Sequence, residues 1–466
     1  MSLRAVVIAC GLALACSREK QAPRKTTLVH LPDSVASIAV SEDAEKYAYV
    51  VADADGKRVV HDGMSDDSYP DATVPTFAPV TRKLFYWAGA FTGPGYLVAD
   101  GTRIGDFGRD GTLVFCLDGT RWATAAGTRE LKVGDETKPG PVIVLADGKK
   151  LGSYPDASVP SFSADGRHLA YLVGADDATK LVVDGTERAS YVKPTSPCAA
   201  PKTPFPRGPN FWPQFQVRYQ SDGRLLVMTQ DEDGWGIYRD GTRVASYAAS
   251  VVQTHPRIGG ECPRDVTAIA AWSFTTAEKA PVAAWWERMP GNAERWRVVR
   301  NEAPADDVVC SRPWLLQPPE LSADGRHLAY ACSVSDPEDS VTIVLDGRRF
   351  GPYRDMWAYA LSDDGVHVAY GADDGMGERP WKYYVDGEAR TESFAAVWRP
   401  RVEAGTGRLA WESRLEGDQG GVLGIERRRL ASFDQVVFGP RFLHPGTVTW
   451  VIRRGRRLVR LDVPTR

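Results

Sequence analysis

The nine residues SADGRHLAY occur twice, letter for letter, at 163–171 and at 322–330. The string reads as a turn followed by a strand. Asp165-Gly166 is tight-turn chemistry, because glycine reaches positive φ without a steric penalty. Beyond the turn the side chains alternate. Leu169 and Tyr171 fall on one face of the strand, His168 and Ala170 on the other. A large aliphatic residue and an aromatic two places on make a face that needs another sheet against it.

The chain carries further copies of this unit. SEDAEKYAYV starts at 41, PVTRKLFYW at 79, LDGTRWATA at 117 and QSDGRLLVM at 220. A degenerate TTAEKAPVAAW follows at 275, then SDDGVHVAY at 362, AGTGRLAW at 404 and HPGTVTWV at 444. Each is followed by a β-rich run, which in most units closes on Asp-Gly, as in LVVDG at 181 and YYVDG at 383. With both copies of the opening string there are ten units, about 38 to 57 residues apart, a period that marks propellers and other arrays. A second pair of strings, SYPDATVPTF at 68 and SYPDASVPSF at 153, keeps the same register.

Each unit offers about four strands, and one such sheet cannot bury both of its faces. Sheets stacked radially can, so the expected fold is an all-β propeller over 26–466. One closed ring is expected, with two smaller propellers as the alternative. The tenth unit holds three strands, and the orphan segment TTLVHLP at 26–32 is expected to complete it.

The strings SADGRHLAY and SDDGVHVAY resemble the S-P-D-G-K-x-I-A-F/Y signature of TolB-type, WD-like propeller repeats. The same signature occurs in the propellers of tricorn-type and prolyl-oligopeptidase-type proteases. Here the proline before Asp-Gly is replaced by Ala164, Ala323 or Asp363. The resemblance covers nearly the whole chain beyond residue 26 and speaks to fold. What it implies about function is a partner protein in the periplasm.

The N-terminus fits such a compartment. MSLRAVVIACGLALAC has one cation, Arg4, and an apolar run from Ala5 to Ala15, too short to span a bilayer and suited to a signal-peptide core. It resembles a bacterial lipobox, with Ala15 before Cys16. The expected plan is a signal peptide over 1–15, a lipid on Cys16, a linker over 16–25, and an outer-membrane lipoprotein facing the periplasm or the cell surface. A plain secretory signal is the simpler reading of the same residues. Export makes disulfides available. The candidate pairs are Cys198 with Cys262 and Cys310 with Cys332, while Cys116 reads as a buried small hydrophobe.

Little in the sequence points to chemistry. With 57 basic and 60 acidic residues the net charge is −3, which gives no reason to expect a nucleic-acid partner. Neither G-x-S-x-G nor H-E-x-x-H occurs, and no zinc spacing or dinucleotide fingerprint is present. His168, His327 and His367 share one repeat position, where packing is expected rather than catalysis. No catalytic residue, metal site or cofactor is expected.

Candidate binding surfaces lie where the array is least regular. They are Trp285 and Trp286 in the degenerate sixth unit, and Phe211 and Trp212 in the proline-rich insert 193–213. The stretch 426–466 holds ten arginines against three acids, suited either to an anionic partner or to protecting edge strands. The expected function is a non-catalytic scaffold that binds a protein or ligand at the cell envelope. The alternative is a glycan-acting hydrolase or lyase with its site in the propeller funnel.

Overall fold

The structure is a computed structural model. It describes residues 23–465 apart from 90–94, 108–110, 129–130, 134–135, 139, 176, 193–215, 220–222, 232–233, 249–268, 275–282, 290–294, 301–302, 314–318, 323, 334–339, 376–379, 399 and 415–419. Among the described residues every regular element is a strand, and no helix is long and apolar enough to cross a membrane.

Among the described residues ten antiparallel sheets succeed one another along the chain, each a meander of four strand positions, and a two-stranded ribbon, Leu131–Val133 with Glu136–Lys138, interrupts the third. These sheets are the blades of a β-propeller. The fourth blade shows how the repeat makes one. Its inner strand is split into Asp156–Ala157 and Ser161–Phe162. The second strand, Leu169–Gly174, is followed by Ala178–Val183 and the outer strand Thr186–Val192. The split has a local cause. Pro160 has no N–H to give to a ladder, and Pro75, Pro319 and Pro400 hold the same place in the second, seventh and ninth blades. The third and fourth strands join through Asp184-Gly185, both at positive φ (51° and 77°). That is the two-residue turn whose twist suits a hairpin.

The large residues meet between blades. Leu169, Tyr171 and Val173 of the fourth blade pack on Ala123, Val144 and Ala146 of the third. Val368 and Tyr370 of the eighth pack on Ile343 and Leu345 of the seventh. Clusters of this kind join each blade to the next except at the junction of the fifth and sixth, where much of the chain lies outside the described residues. The tenth blade packs on the first through Val451 and Leu458 against Ile38, Tyr49 and Val51.

The SYPD strings explain themselves here. Tyr154 ends an outer strand and sets its hydroxyl 3.2 Å from that of Tyr171 in the next blade, and Tyr353 and Tyr370 repeat the contact at 2.7 Å. The tenth blade takes its fourth strand from the other end of the chain. Arg24–His30 pairs antiparallel with Arg457–Pro464, from Arg24 opposite Asp462 to His30 opposite Arg457.

Candidate functional site at the convergent inner strands

The repeat motif brings serine, histidine and aspartate together, so its geometry decides whether it can do chemistry. In the fourth blade Ser163 Oγ donates to Asp165 Oδ1 (2.6 Å) and accepts from the His168 backbone N–H (2.9 Å). The His168 ring turns away from that serine and sets Nδ1 2.7 Å from Asp184 Oδ2. The other oxygen of Asp184 accepts the Leu169 N–H (2.9 Å). One Asp-Gly aspartate therefore pins the start of the second strand to the turn after the third. Ser322, Asp324, His327 and Asp346 repeat this arrangement, as do Ser362, Asp364, His367 and Asp386. Lys46 with Asp62 and Arg121 with Asp147 fill the cation–acid place in two more blades. The hydroxyl bonds of Ser163 and Ser322 hold the Asp165 and Asp324 carboxyls below the ordinary range. Serine and imidazole are thus parts of a repeated latch, facing different partners, and do not form a nucleophile–base pair.

The cysteines and tryptophans find their places in this frame. Cys116 stands where other blades have the turn serine. It is buried, its thiol donates to Asp118 Oδ1 (2.9 Å), and that bond leads those holding the Asp118 carboxyl down at about 2. Cys310 and Cys332 form a disulfide that ties the chain leaving the sixth blade to the second strand of the seventh. Cys198 and Cys262, and likewise Cys16, Phe211 and Trp212, lie outside the described residues. Trp286 corrects the expectation of a binding surface. It is fully buried, its ring edge-on to Tyr330 of the seventh blade with centroids 5.2 Å apart. Trp285 occupies the same strand, and its side chain is outside the description.

The residues that stand out lie on the innermost strands, where the sequence analysis named none. One position of each inner strand pairs with the residue that separates the two large core residues of the second strand. Ser161 opposite Ala170 is the example. Five other blades carry Ala39, Thr76, Val114, Ser273 and Ala360 there, opposite Ala48, Phe85, Ala123, Ala284 and Ala369. The remaining four carry charge: Arg218 opposite Leu226, Glu320 opposite Ala329, Arg401 opposite Ala410 and Arg441 opposite Thr449.

This position looks across to the inner strand of the following blade. Ser161 Oγ accepts the N–H of Tyr219 (3.2 Å), and the Glu320 carboxyl in the same way accepts the N–H of Leu361. The inner strands of the seventh, eighth and ninth blades lie against one another, so Glu320, Tyr359 and Arg401 share one neighbourhood. Burial pushes the Glu320 carboxyl up to about 7, against the Leu361 N–H and the Arg401 charge, which both favour its ionised form. Burial also raises the Tyr359 phenol well above its usual value, with the Glu320 charge adding to the effect. Arg218 is lowered by its surroundings. On the strand that carries Tyr359, Trp357 is 55% exposed. Among the described residues no group of three or more His, Cys, Asp or Glu side chains is placed to hold a metal ion.

The signal for this site was present in the sequence. Counting two residues back from the turn serine, or from Glu403 in its place, lands on Ser161, Glu320 and Arg401, while bulges in the tenth blade shift Arg441 off that count.

No family and no curated protein sequence matches the chain. Among solved structures, a eukaryotic initiation factor is 11% identical, covers 90% of this chain and 94% of its own, and superposes with a TM-score of 0.46. The Dos1 propeller is 9% identical, covers 95% of each chain, and has a TM-score of 0.34. An oligogalacturonate lyase in complex with manganese is 11% identical, covers 78% of this chain and 97% of its own, with a TM-score of 0.33.

Proposed function

We propose that this chain is an exported, lipid-tethered binding propeller. It holds a partner protein or ligand where the inner strands converge and performs no reaction on it. The observation that carries this reading is the charged set Arg218, Glu320, Arg401 and Arg441, at a sheet position where the other blades place small or neutral residues. Packing alone gives no reason for four charges at one coordinate. The engagement of the repeat histidines and serines in latches supports a binding role over a catalytic one. The leader ending at Cys16 supports export, as does the Cys310–Cys332 disulfide, a bond that persists in oxidising compartments.

A second reading, a glycan-acting enzyme at the same place, is favoured by the Glu320 carboxyl alone, since a group near 7 can exchange a proton at neutral pH. Glycoside hydrolysis ordinarily needs two carboxyl groups flanking the bond.

The test is cross-linking in native membranes, followed by mass spectrometry of what co-purifies and of the N-terminal peptide. The expected result is a reproducible partner, a lipid-modified Cys16, and loss of the partner in R401M. An unmodified N-terminus with no partner overturns the reading. Turnover of a glycan that is abolished by E320Q would establish the second.

A further inference from the structure

We infer that the convergent inner strands take an acidic peptide segment of a partner protein, with Arg401 and Arg441 gripping its carboxylates and Glu320 opposing it. The inference rests on the binding reading above and adds the chemistry of what is bound.

Three arginines against one glutamate leave a surplus of two positive charges at this one coordinate. The whole chain has a net charge of −3, so the surplus is a local feature. Arg401 and Arg441 occupy the same sheet position in consecutive blades. Guanidinium offers a planar fork that matches carboxylate, and a concave setting strengthens the field such a group presents.

The inner strands carry other charges, Asp71, Asp156, Arg312 and Asp355, and they also expose apolar side chains. Val74 and Val159 occupy equivalent gaps in the split inner strands of the second and fourth blades and are 56% and 38% exposed, and Trp357 lies on the eighth. Arginines on inner strands that also expose aliphatic and aromatic side chains fit a peptide with acidic and apolar residues.

Glu320 makes the site sensitive to pH. The groups facing it are Arg401 from the ninth blade, and Tyr359 and the Leu361 N–H from the eighth. The adjoining strand of the sixth blade, Ile269–Phe274, has no ionisable residue. While ionised, Glu320 repels an incoming carboxylate and competes for Arg401. Once protonated it does neither, so acidic ligands bind more tightly as pH falls through neutrality.

The probe is fluorescein-labelled hexaglutamate, titrated into the full mature chain at low salt and read by anisotropy, with an uncharged peptide and a mannuronate trisaccharide as comparators. The wild type is expected to bind hexaglutamate about three- to tenfold more tightly at pH 6 than at pH 8, given one charge removed nearby. E320Q should abolish that pH dependence and bind at pH 8 as the wild type does at pH 6. R401M should weaken binding by about tenfold or more, the scale of a lost charge-assisted pair. If R401M does not fold, R401K decides, because it keeps the charge and loses the fork; a loss of about two- to fivefold is expected.

Unchanged affinity in the folded arginine variants overturns the inference, and so does preference for the trisaccharide over the peptide. If hexaglutamate fails to bind while R401M still loses its cross-linked partner, the acidic-peptide assignment falls and the binding reading stands. If both fail, both fall.

Discussion

Two sets of repeat-equivalent residues behave in opposite ways. At the turn, five blades keep the same answer: a hydroxyl or thiol, an aspartate two places on, a basic side chain at the head of the second strand, and an acid after the third. Cys116 for serine, and Lys46 or Arg121 for histidine, change the atoms and keep the bonds. On the inner strand, one coordinate holds alanine, threonine, valine and serine in some blades and arginine or glutamate in others. Sameness at a repeated position is what stability requires of every blade. Difference at a repeated position, where it introduces charge that other blades lack, is what the proposed ligand would account for.

Several substitutions would break or sharpen this contrast. The largest loss should come from the shared core. Trp411→Ala empties a site that is 1% exposed between the eighth and ninth blades, and should cost about 3–5 kcal/mol in chemical denaturation. Replacing Cys310 and Cys332 together by serine should cost about 2–3 kcal/mol, with reducing agent destabilising the wild type and leaving the variant unchanged. Within the latch, Asp346→Ala removes the acceptor of the Leu328 N–H along with the His327 partner, and should cost about 1–2 kcal/mol. His327→Ala removes only a partly exposed pair, for about 0.5–1 kcal/mol. A latch that cost nothing in either variant would remove the structural half of the comparison.

The inner set should answer to pH. Glu320 is raised in the fold, so its contribution is fully present below the unfolded carboxyl value and is lost as pH rises to about 7. Glu320→Gln should therefore be more stable than the wild type above pH 7, by about 1–2 kcal/mol, with the advantage fading in acid. The smallest effect is expected of Arg441→Met, within about 0.5 kcal/mol in thermal unfolding, since the guanidinium is exposed and lies over the Phe438 ring. A large loss of stability there would make the inner charges structural after all.

Much of this fold is legible in nine letters. The Asp165-Gly166 turn, the alternation of Leu169 and Tyr171, and the later Asp184-Gly185 together specify a meander with two buried faces. The partner of His168 was harder to see, because Asp184 is sixteen residues away and the contact depends on hairpin register. That register is nonetheless implicit in the repeat, since the basic side chain heads one strand and the acid ends the next. Trp286 misled because an adjacent tryptophan pair in a degenerate unit looks like a surface. In a radial stack both faces of a sheet are interior, so neither side of such a strand is free by default. The charged inner set was hidden because Arg218, Glu320, Arg401 and Arg441 follow different neighbours and form no shared string. They come together only when every unit is aligned through the pairing of its first and second strands.

The pairing of Arg24–His30 with Arg457–Pro464 has a consequence for how the molecule comes into being. Leu31 and Arg456, hydrogen-bonded to each other, are 425 residues apart. A chain made from its N-terminus onward releases its first strand long before that strand's partner exists. Earlier blades can form as they emerge, since each is a local meander. The tenth must wait for Arg457–Pro464, and until then Arg24–His30 is an exposed edge with its hydrogen bonds unmade. The tenth blade therefore cannot be completed before Arg457–Pro464 has been made, whatever the order in which the other blades are assembled.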